Sequence, residues 1–321
     1  MSLMILRAGP AALVQDLGRP GHAALGVTGS GAADRAAAAL ALRCVGTDPA
    51  AAVLELLLGG LVVMTDSPAV VAVTGARGLV VVTTPSGSRR TAATGEVLRL
   101  DAGSTLEIGR PGVGVRTYLG VRGGVEVPPV LGSRSRDTLS GLGPPPLEAG
   151  DVLAVGDAVV GPWADHWHAS GGDPHPGSGT GPGPGRGTGI GTGTGTGSDG
   201  RGRRPRSLVL DVIPGPRDDL FPPAAWHVLA ETGHVSGHAD RVGVRIDPAG
   251  PVPRSSTREI PSEGMVRGAV QVPADGAPVV FGPDHPVTGG YPVIGVLTSR
   301  SSDALSQLLP GAPVSFRRVS D

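Results

Sequence analysis

Late in the chain, two carboxyl groups, an arginine and a histidine fall close together. The run Ser262-Glu263-Gly264-Met265-Val266-Arg267-Gly268-Ala269-Val270-Gln271-Val272-Pro273 leads through Asp275-Gly276 to Asp284-His285-Pro286-Val287-Thr288-Gly289-Gly290-Tyr291-Pro292. Glu263 and Asp284 are of a type that accepts protons or binds a cationic group. Arg267 offers a fork of donors suited to a carboxylate or phosphate. His285 suits proton transfer near neutral pH. Thr288-Gly289-Gly290 would present backbone N–H groups to an oxyanion, because glycine permits the dihedrals this needs. Gln271 and Tyr291 add positioning groups. Turn chemistry is the competing reading: Asp275-Gly276 is a hairpin signal, and an ordinary loop over 284–290 stays open.

A second polar cluster lies near the start, at Gln15-Asp16-Leu17-Gly18-Arg19-Pro20-Gly21 and Ser30-Gly31-Ala32-Ala33-Asp34-Arg35. Asp16, Arg19, Asp34 and Arg35 form charges around glycine-rich turns. They suit either the cradling of a polar substrate or surface pairs of little energetic weight; on these residues alone the structural role is favoured. A third stretch is Gly132-Ser133-Arg134-Ser135-Arg136-Asp137. Ser133 lacks the G-x-S-x-G context of a nucleophile elbow, whereas Arg134 suits contact with an anion. Arg241, in Asp240-Arg241-Val242-Gly243, is a further candidate of that kind. His234 and His238, near Asp240, and Asp165-His166-Trp167-His168 are weak metal signals without an identifiable third ligand. Cys44 reads as core, since no activating group stands near it in sequence.

The chain of 321 residues contains no lysine, so all 27 basic charges are arginine. It therefore cannot carry biotin on a lysine, form a lysine Schiff base or use the lysine of a Walker-type phosphate loop. A net charge of −1 and 2% aromatic residues argue against nucleic acid as a partner. The single cysteine excludes an intrachain disulfide and a multi-cysteine zinc site. Met1 to Pro10 lacks the pattern of a secretory leader. No apolar run approaches the roughly 18 residues of a membrane span. A cytoplasmic protein without membrane contact is the expectation.

The elements that must position these groups are mostly strands. Short Val- and Leu-rich runs separated by Gly, Pro, Ser and Asp occur at Leu61–Met64, Ala69–Thr74, Leu79–Thr84, Glu96–Leu100, Ser104–Ile108, Val115–Val121 and Val152–Val155. They recur at Ser207–Val212, Val242–Ile246, Ala269–Val272, Val279–Phe281, Tyr291–Leu297 and Val314–Arg317. Helices are expected at Ala32–Cys44, with Asp34 in the first turn, at Pro223–Glu231 and at Ser302–Leu309. Between Gly171 and Gly202, 15 of 32 residues are glycine, a composition that cannot bury enough apolar surface to offset its ordering entropy. The arginines 201, 203, 204 and 206 close that stretch. The division expected is 1–169, a flexible linker over 170–206, and 207–321. The pattern reads as mainly β, with sheets closed or nearly closed on themselves.

Taken in order, these segments resemble a family known by three names: the C subunit of 5-oxoprolinase, allophanate hydrolase subunit 2 and biotin-dependent carboxyltransferase. The resemblance runs from Gln15-Asp16-Leu17-Gly18-Arg19-Pro20-Gly21 through Gly31-Ala32-Ala33-Asp34-Arg35, Val53-Leu54-Glu55, Val73-Thr74-Gly75-Ala76, Tyr118-Leu119, Arg122-Gly123-Gly124 and Leu131 to Asp137. It continues at Pro214-Gly215-Pro216-Arg217, Asp240-Arg241-Val242-Gly243, Ser262-Glu263-Gly264, Gly268 to Pro273 and Thr288-Gly289-Gly290-Tyr291-Pro292. The Gly-Thr linker departs from the family pattern.

The resemblance implies two tandem cyclophilin-like β-barrel halves with a polar groove between or beside them. It further implies one component of a complex that hydrolyses ATP while opening 5-oxo-L-proline to L-glutamate, with a B-like partner of related fold and an A-like partner. Two alternatives come with the family: a regulatory protein that antagonises a kinase inhibitor of related fold, and a carboxyltransferase module acting on urea or an amide with biotin carried by another chain. In the leading reading Asp284, His285, Arg267 and Glu263 are the catalytic candidates. Thr288, Gly289, Gly290, Tyr291, Gln271, Arg19, Asp34, Arg134 and Arg241 are the substrate-binding candidates, and no metal is expected.

Overall fold

A computed structural model describes residues 1–164, 207–256 and 260–320. The stretch expected to be a linker, the arginines that close it and the 165–168 histidine segment lie outside the described residues. The chain is mainly β with three short helices among the described residues.

Strands up to Val155 form two sheets. The seven-stranded sheet runs in the order Val125–Glu126, Val152–Val155, Ser2–Arg7, Leu61–Thr65, Thr105–Ile108, Leu79–Thr83, Arg89–Ala93. The five-stranded sheet runs Ala11–Gln15, Val53–Leu57, Val113–Val121, Ala69–Arg77, Val97–Leu100. Alternate residues of each point inward. Leu3, Ile5, Leu61, Val63 and Leu106 from the first sheet meet Val14, Leu54, Leu56, Val71, Val73 and Leu119 from the second in one core. Fully burying one such aliphatic side chain stabilises the fold by about 1.5–3 kcal/mol. Arg89–Ala93 escapes a hydrophobicity reading because it is a charged, exposed edge strand.

Helix α1 (Arg35–Cys44) covers the outer face of the five-stranded sheet, setting Ala37, Ala38, Ala41 and Leu42 against Val53 and Tyr118. The small side chains let the helix come close. A Cβ at Gly120 would stand 2.8 Å from the backbone of Ala41, so that position has to be glycine. The helix starts at Arg35, three residues later than the alanine run suggests. Asp34 is its N-cap, accepting from Ala37 N–H at 2.9 Å, rather than a first-turn charge.

The second half is a closed seven-stranded barrel ordered Leu208–Pro214, Val293–Leu297, Ala269–Gln271, Val279–Phe281, Gly243–Asp247, Gly233–Ala239, Pro313–Arg318. The last strand returns parallel to the first. Its core joins Leu210, Val212, Val270, Val280, Ile294 and Phe316 with Leu229 of α2 (Pro223–Ala230) and Leu305 of α3 (Ser299–Leu305). Helix α3 is capped by Thr298, whose hydroxyl accepts from Ser301 N–H, and so begins earlier than the expected Ser302. His234 and His238 lie on the strand Gly233–Ala239. No group of three metal-ligating side chains occurs among the described residues.

Candidate functional site

The two halves meet through charged side chains that are almost fully buried. Glu55 is a carboxylate inside the otherwise apolar strand Val-Leu-Glu-Leu-Leu and is 3% exposed. Burying such a group is costly unless it is paired, and here four groups meet it. Ala33 N–H donates to Oε2 at 2.8 Å and the Tyr118 hydroxyl at 2.9 Å. Arg241 Nη1 reaches Oε1 at 2.5 Å, and Arg116 Nε stands 3.5 Å away. Burial pushes the Glu55 carboxyl up, but Arg241 and Arg116 outweigh it and hold the group below its ordinary value.

Arg241 ties this carboxylate to Asp284. Its Nε donates to Asp284 Oδ2 at 2.8 Å and its Nη2 to Oδ1 at 3.1 Å, while Nη2 also donates to Gly31 O at 2.7 Å. Asp284 has no exposed surface. Ser30 Oγ lies 2.6 Å from Oδ1, and Thr138 gives Oδ2 its N–H at 2.9 Å and its hydroxyl at 2.7 Å. Burial again raises this carboxyl, and Arg241 together with the hydrogen bonds carries it the other way, below the ordinary value. Burial disfavours the Arg241 cation, yet the two carboxylates hold it more firmly protonated than a free arginine. Asp284 is thus an ionised anchor with its acceptor sites filled, not a group exposed to take up a proton.

Arg267 reaches from the barrel onto the start of α1. Nη1 donates to Ala32 O at 2.8 Å, Nη2 to Ala33 O and to Asp303 Oδ1 at 2.9 Å, and Nε to Ser302 Oγ at 3.1 Å. Burial first, and the nearby Arg35 cation second, lower its pKa to about 10 despite Asp303. Its donors are engaged with protein, so it braces the seam. Asp303 also accepts from Arg35 and Ala36 N–H at 3.2 Å each. Burial raises its carboxyl in spite of the Arg267 charge. Gln307 completes the joint. Its oxygen accepts from Val115 and Arg116 N–H, and its Nε2 donates to Asp34 Oδ2 at 2.8 Å and Arg116 O at 3.0 Å. Beside these groups a shallow cleft is lined by Ala33 and Arg116 from the first half and Asp240, Arg267, Phe281 and Ser302 from the second.

His285 differs from its neighbours. Its Nδ1 lies 2.8 Å from Pro286 O, and its Nε2 has no hydrogen-bond partner among the described residues. The ring is tilted against Phe281 at 6.2 Å between centroids. Burial lowers its pKa below the ordinary 6.5, outweighing the hydrogen bond to Pro286 and the negative charge of Asp284. It is therefore a neutral imidazole at neutral pH, with one nitrogen engaged and the other available.

The remaining candidates occupy two other places. Glu263 and Thr288–Gly289 form a short ribbon in which Glu263 pairs with Gly289. Glu263 is half-buried and held below its ordinary pKa chiefly by a hydrogen bond from Arg217, whose Nε lies 2.8 Å away. Gln271 donates to Tyr291 O at 3.1 Å, and Tyr291 is 36% exposed. Gly289 and Gly290 do not have positive φ, so the dihedral argument does not hold. Gly289 is needed for space, because a Cβ there would meet Gln271 Nε2 at 2.7 Å and Met265 Sδ at 3.2 Å.

Arg19 and Arg134 lie in the loops of the first half. Arg19 is 1% exposed and donates to the carbonyls of Ser135 and Val130. Arg134 pairs with Glu126 at 2.5 Å and gives its N–H to Asp16. Ser133 is sealed, with Oγ 2.6 Å from Asp16, as befits a structural serine. Of the sequence candidates, Asp284, His285, Arg267, Arg241 and Asp34 come together at the seam; Glu263, Gln271, Thr288, Gly289, Gly290 and Tyr291 belong to or border the ribbon; Arg19 and Arg134 stand apart. Glu55, Tyr118, Ser30, Thr138, Asp303 and Gln307 were not among the sequence candidates. Glu55 had a usable signal: a lone charge in a buried strand requires a partner.

Comparison with known proteins identifies the family. Residues 25–318 match the family model for the carboxyltransferase domain, subdomain A and B. The chain is 32% identical to the 5-oxoprolinase C subunit of Escherichia coli (strain K12), over 99% of this chain and 91% of that one. It is 27% identical to urea amidolyase of Lachancea kluyveri, over 96% of this chain but 16% of that one. A crystal structure of TTHA0988 superposes with a TM-score of 0.77 at 31% identity, covering 98% of this chain and 55% of that chain. The present chain thus spans about half the length of TTHA0988. With a family model matched across both halves and a relative of this identity over nearly its whole length, the chain belongs to the carboxyltransferase domain A and B family that includes the C subunit of 5-oxoprolinase.

Proposed function

We propose that this chain is the C subunit of an ATP-dependent 5-oxoprolinase complex, which opens 5-oxo-L-proline to L-glutamate together with B-like and A-like partners. The observation that carries the reading is the 32% identity spanning 99% of this chain and 91% of the E. coli protein. Opening a lactam needs a group that can move a proton to or from the ring nitrogen or the attacking water. His285, neutral and with Nε2 unengaged, is assigned that role. Asp284 and Arg241 position it, and Arg267 braces the seam on which it sits. Glu263, Gln271, Tyr291 and Thr288 to Gly290 are assigned to contacts with the substrate or the partner at the ribbon.

The two seam arginines are not placed to hold the phosphates of ATP. Arg241 and Arg267 direct their donors at protein carbonyls and carboxylates, and the sequence has no lysine for a Walker-type phosphate loop. The ATP step is therefore assigned to a partner.

The likeness to urea amidolyase and the family description favour one second reading: carboxyl transfer from biotin carried on another chain. The complex is expected to assemble in the cytoplasm. The test is reconstitution with the candidate B-like and A-like chains and assay of two reactions in parallel. Glutamate release from 5-oxoproline that requires ATP supports the first reading. Carboxylation of urea from a carboxybiotin carrier, without glutamate release, overturns it in favour of the second.

A further inference from the structure

Ser30 lies in the left-handed region at φ 51° although it carries a side chain, and it is 1% exposed. Such a backbone is strained and persists only where its surroundings hold it. Three contacts depend on it, one being that of its hydroxyl with Arg136 O at 3.2 Å. Its N–H donates to Pro283 O at 3.1 Å, and its hydroxyl lies 2.6 Å from Asp284 Oδ1. Thr138 holds the other oxygen of Asp284 through its N–H and hydroxyl, at 2.9 and 2.7 Å. Ser30 and Thr138 belong to the first half, Pro283 and Asp284 to the second, and the next residue is His285. Its Nδ1 faces a carbonyl, which can only accept, so Nδ1 carries the proton and Nε2 holds the lone pair of the neutral ring.

We infer that Ser30 and Thr138 are positioning residues that clamp the Pro283–Asp284 segment from the opposite half and thereby hold His285 as an Nε2 base, so that the site is composed only when the halves are apposed. The assignment of a proton-transfer role to His285 rests on the function proposed above; the clamp rests on geometry alone. The charged groups around the His285 ring come from both halves: Asp284 and Arg267 from the barrel, Asp137 from the first half. Asp137 is itself fixed by Thr28 and Ser140. Both sides of the imidazole's environment are therefore set by the apposition.

The test uses the full chain with ¹⁵N-labelled histidine, the His285 signal being assigned with His285→Gln. Ser30→Gly removes the hydroxyl while leaving φ accessible without strain. Thr138→Val removes one of the two bonds that Thr138 gives. The wild-type chain is expected to show the Nδ1–H tautomer at neutral pH, and the double variant a mixture with the Nε2–H form. In the assembled complex the double variant should lower kcat about tenfold with KM within about twofold, since the substrate contacts are untouched. An unchanged tautomer in a folded double variant would overturn the clamp whatever the turnover. If the tautomer shifts as expected while the wild-type complex releases no glutamate, the clamp stands and the reaction assigned to the complex falls.

Discussion

Replacing Arg241 with methionine removes the one cation, among the described residues, that touches both buried carboxylates of the seam. Glu55 is 3% exposed and Asp284 0%, and Arg241 meets them at 2.5 and 2.8 Å. Breaking one buried ion pair by removing a partner costs about 3–5 kcal/mol, because the charge left behind is uncompensated. Against a total stability of about 5–15 kcal/mol this is a large fraction. Arg116 stays near Glu55 at 3.5 Å, and the hydroxyls of Ser30 and Thr138 stay on Asp284, so the lower end of that range is expected at pH 7.

The pH dependence gives a sharper test. In the wild type both carboxyls are depressed below their unfolded values. Their stabilisation is present above those unfolded values and is lost as pH falls through the folded ones. Without Arg241, burial has less opposition and both carboxyls rise. Where a folded carboxyl lies above its unfolded value, stability falls as pH rises between the two. The deficit of the variant should therefore be largest near pH 7 and shrink towards pH 4. Equilibrium urea unfolding at several pH values reads both effects. The cost should also fall by about 2 kcal/mol when Arg241→Met is made in a Glu55→Gln background, because the two changes share one interaction. A loss under about 1 kcal/mol at pH 7, with the pH dependence of the wild type, would refute the view that this network holds the halves together.

Other consequences can be measured separately. Arg267→Ala strips Ala32 O and Ala33 O of their donor and leaves Asp303 without its cation; unfolding should become easier by about 2–4 kcal/mol, read from urea midpoints. Gly289→Ala should break the Gln271–Tyr291 hydrogen bond and cost about 1 kcal/mol, whereas Gly290→Ala, whose nearest neighbour would stand at 3.7 Å, should change stability by less than about 0.5 kcal/mol. His285 should titrate below 6.5 by NMR, and its contribution to stability should be lost as pH falls from the unfolded value through the lower folded one.

The strands were legible where Val and Leu alternate between turn residues, as at Leu61–Thr65 and Leu79–Thr83. Gly233–Ala239 was not, because its run of Gly, His and Ser carries no apolar period. Helix ends moved because caps decide them: Asp34 for α1 and Thr298 for α3. The cluster around Asp284 could be seen as a set of chemical types. Its division into parts could not, because burial and long-range partners separate a fully engaged anchor from a side chain with an unengaged nitrogen. Asp284 and His285 are neighbours in sequence, yet one has every acceptor filled by residues up to 254 positions away and the other keeps a nitrogen unengaged. Arg267 reads like an anion holder and proves to be a clasp on α1 for the same reason.

The proposed proton-handling role of His285 at the seam is tested by turnover of the reconstituted complex, with wild-type and His285→Gln chains side by side. ATP-dependent glutamate release is expected from the wild-type complex, and an assembled His285→Gln complex should be slowed by about 10²-fold or more. Equal rates for the two would remove His285 from the chemistry, and no glutamate from a stable wild-type complex would contradict the proposed reaction.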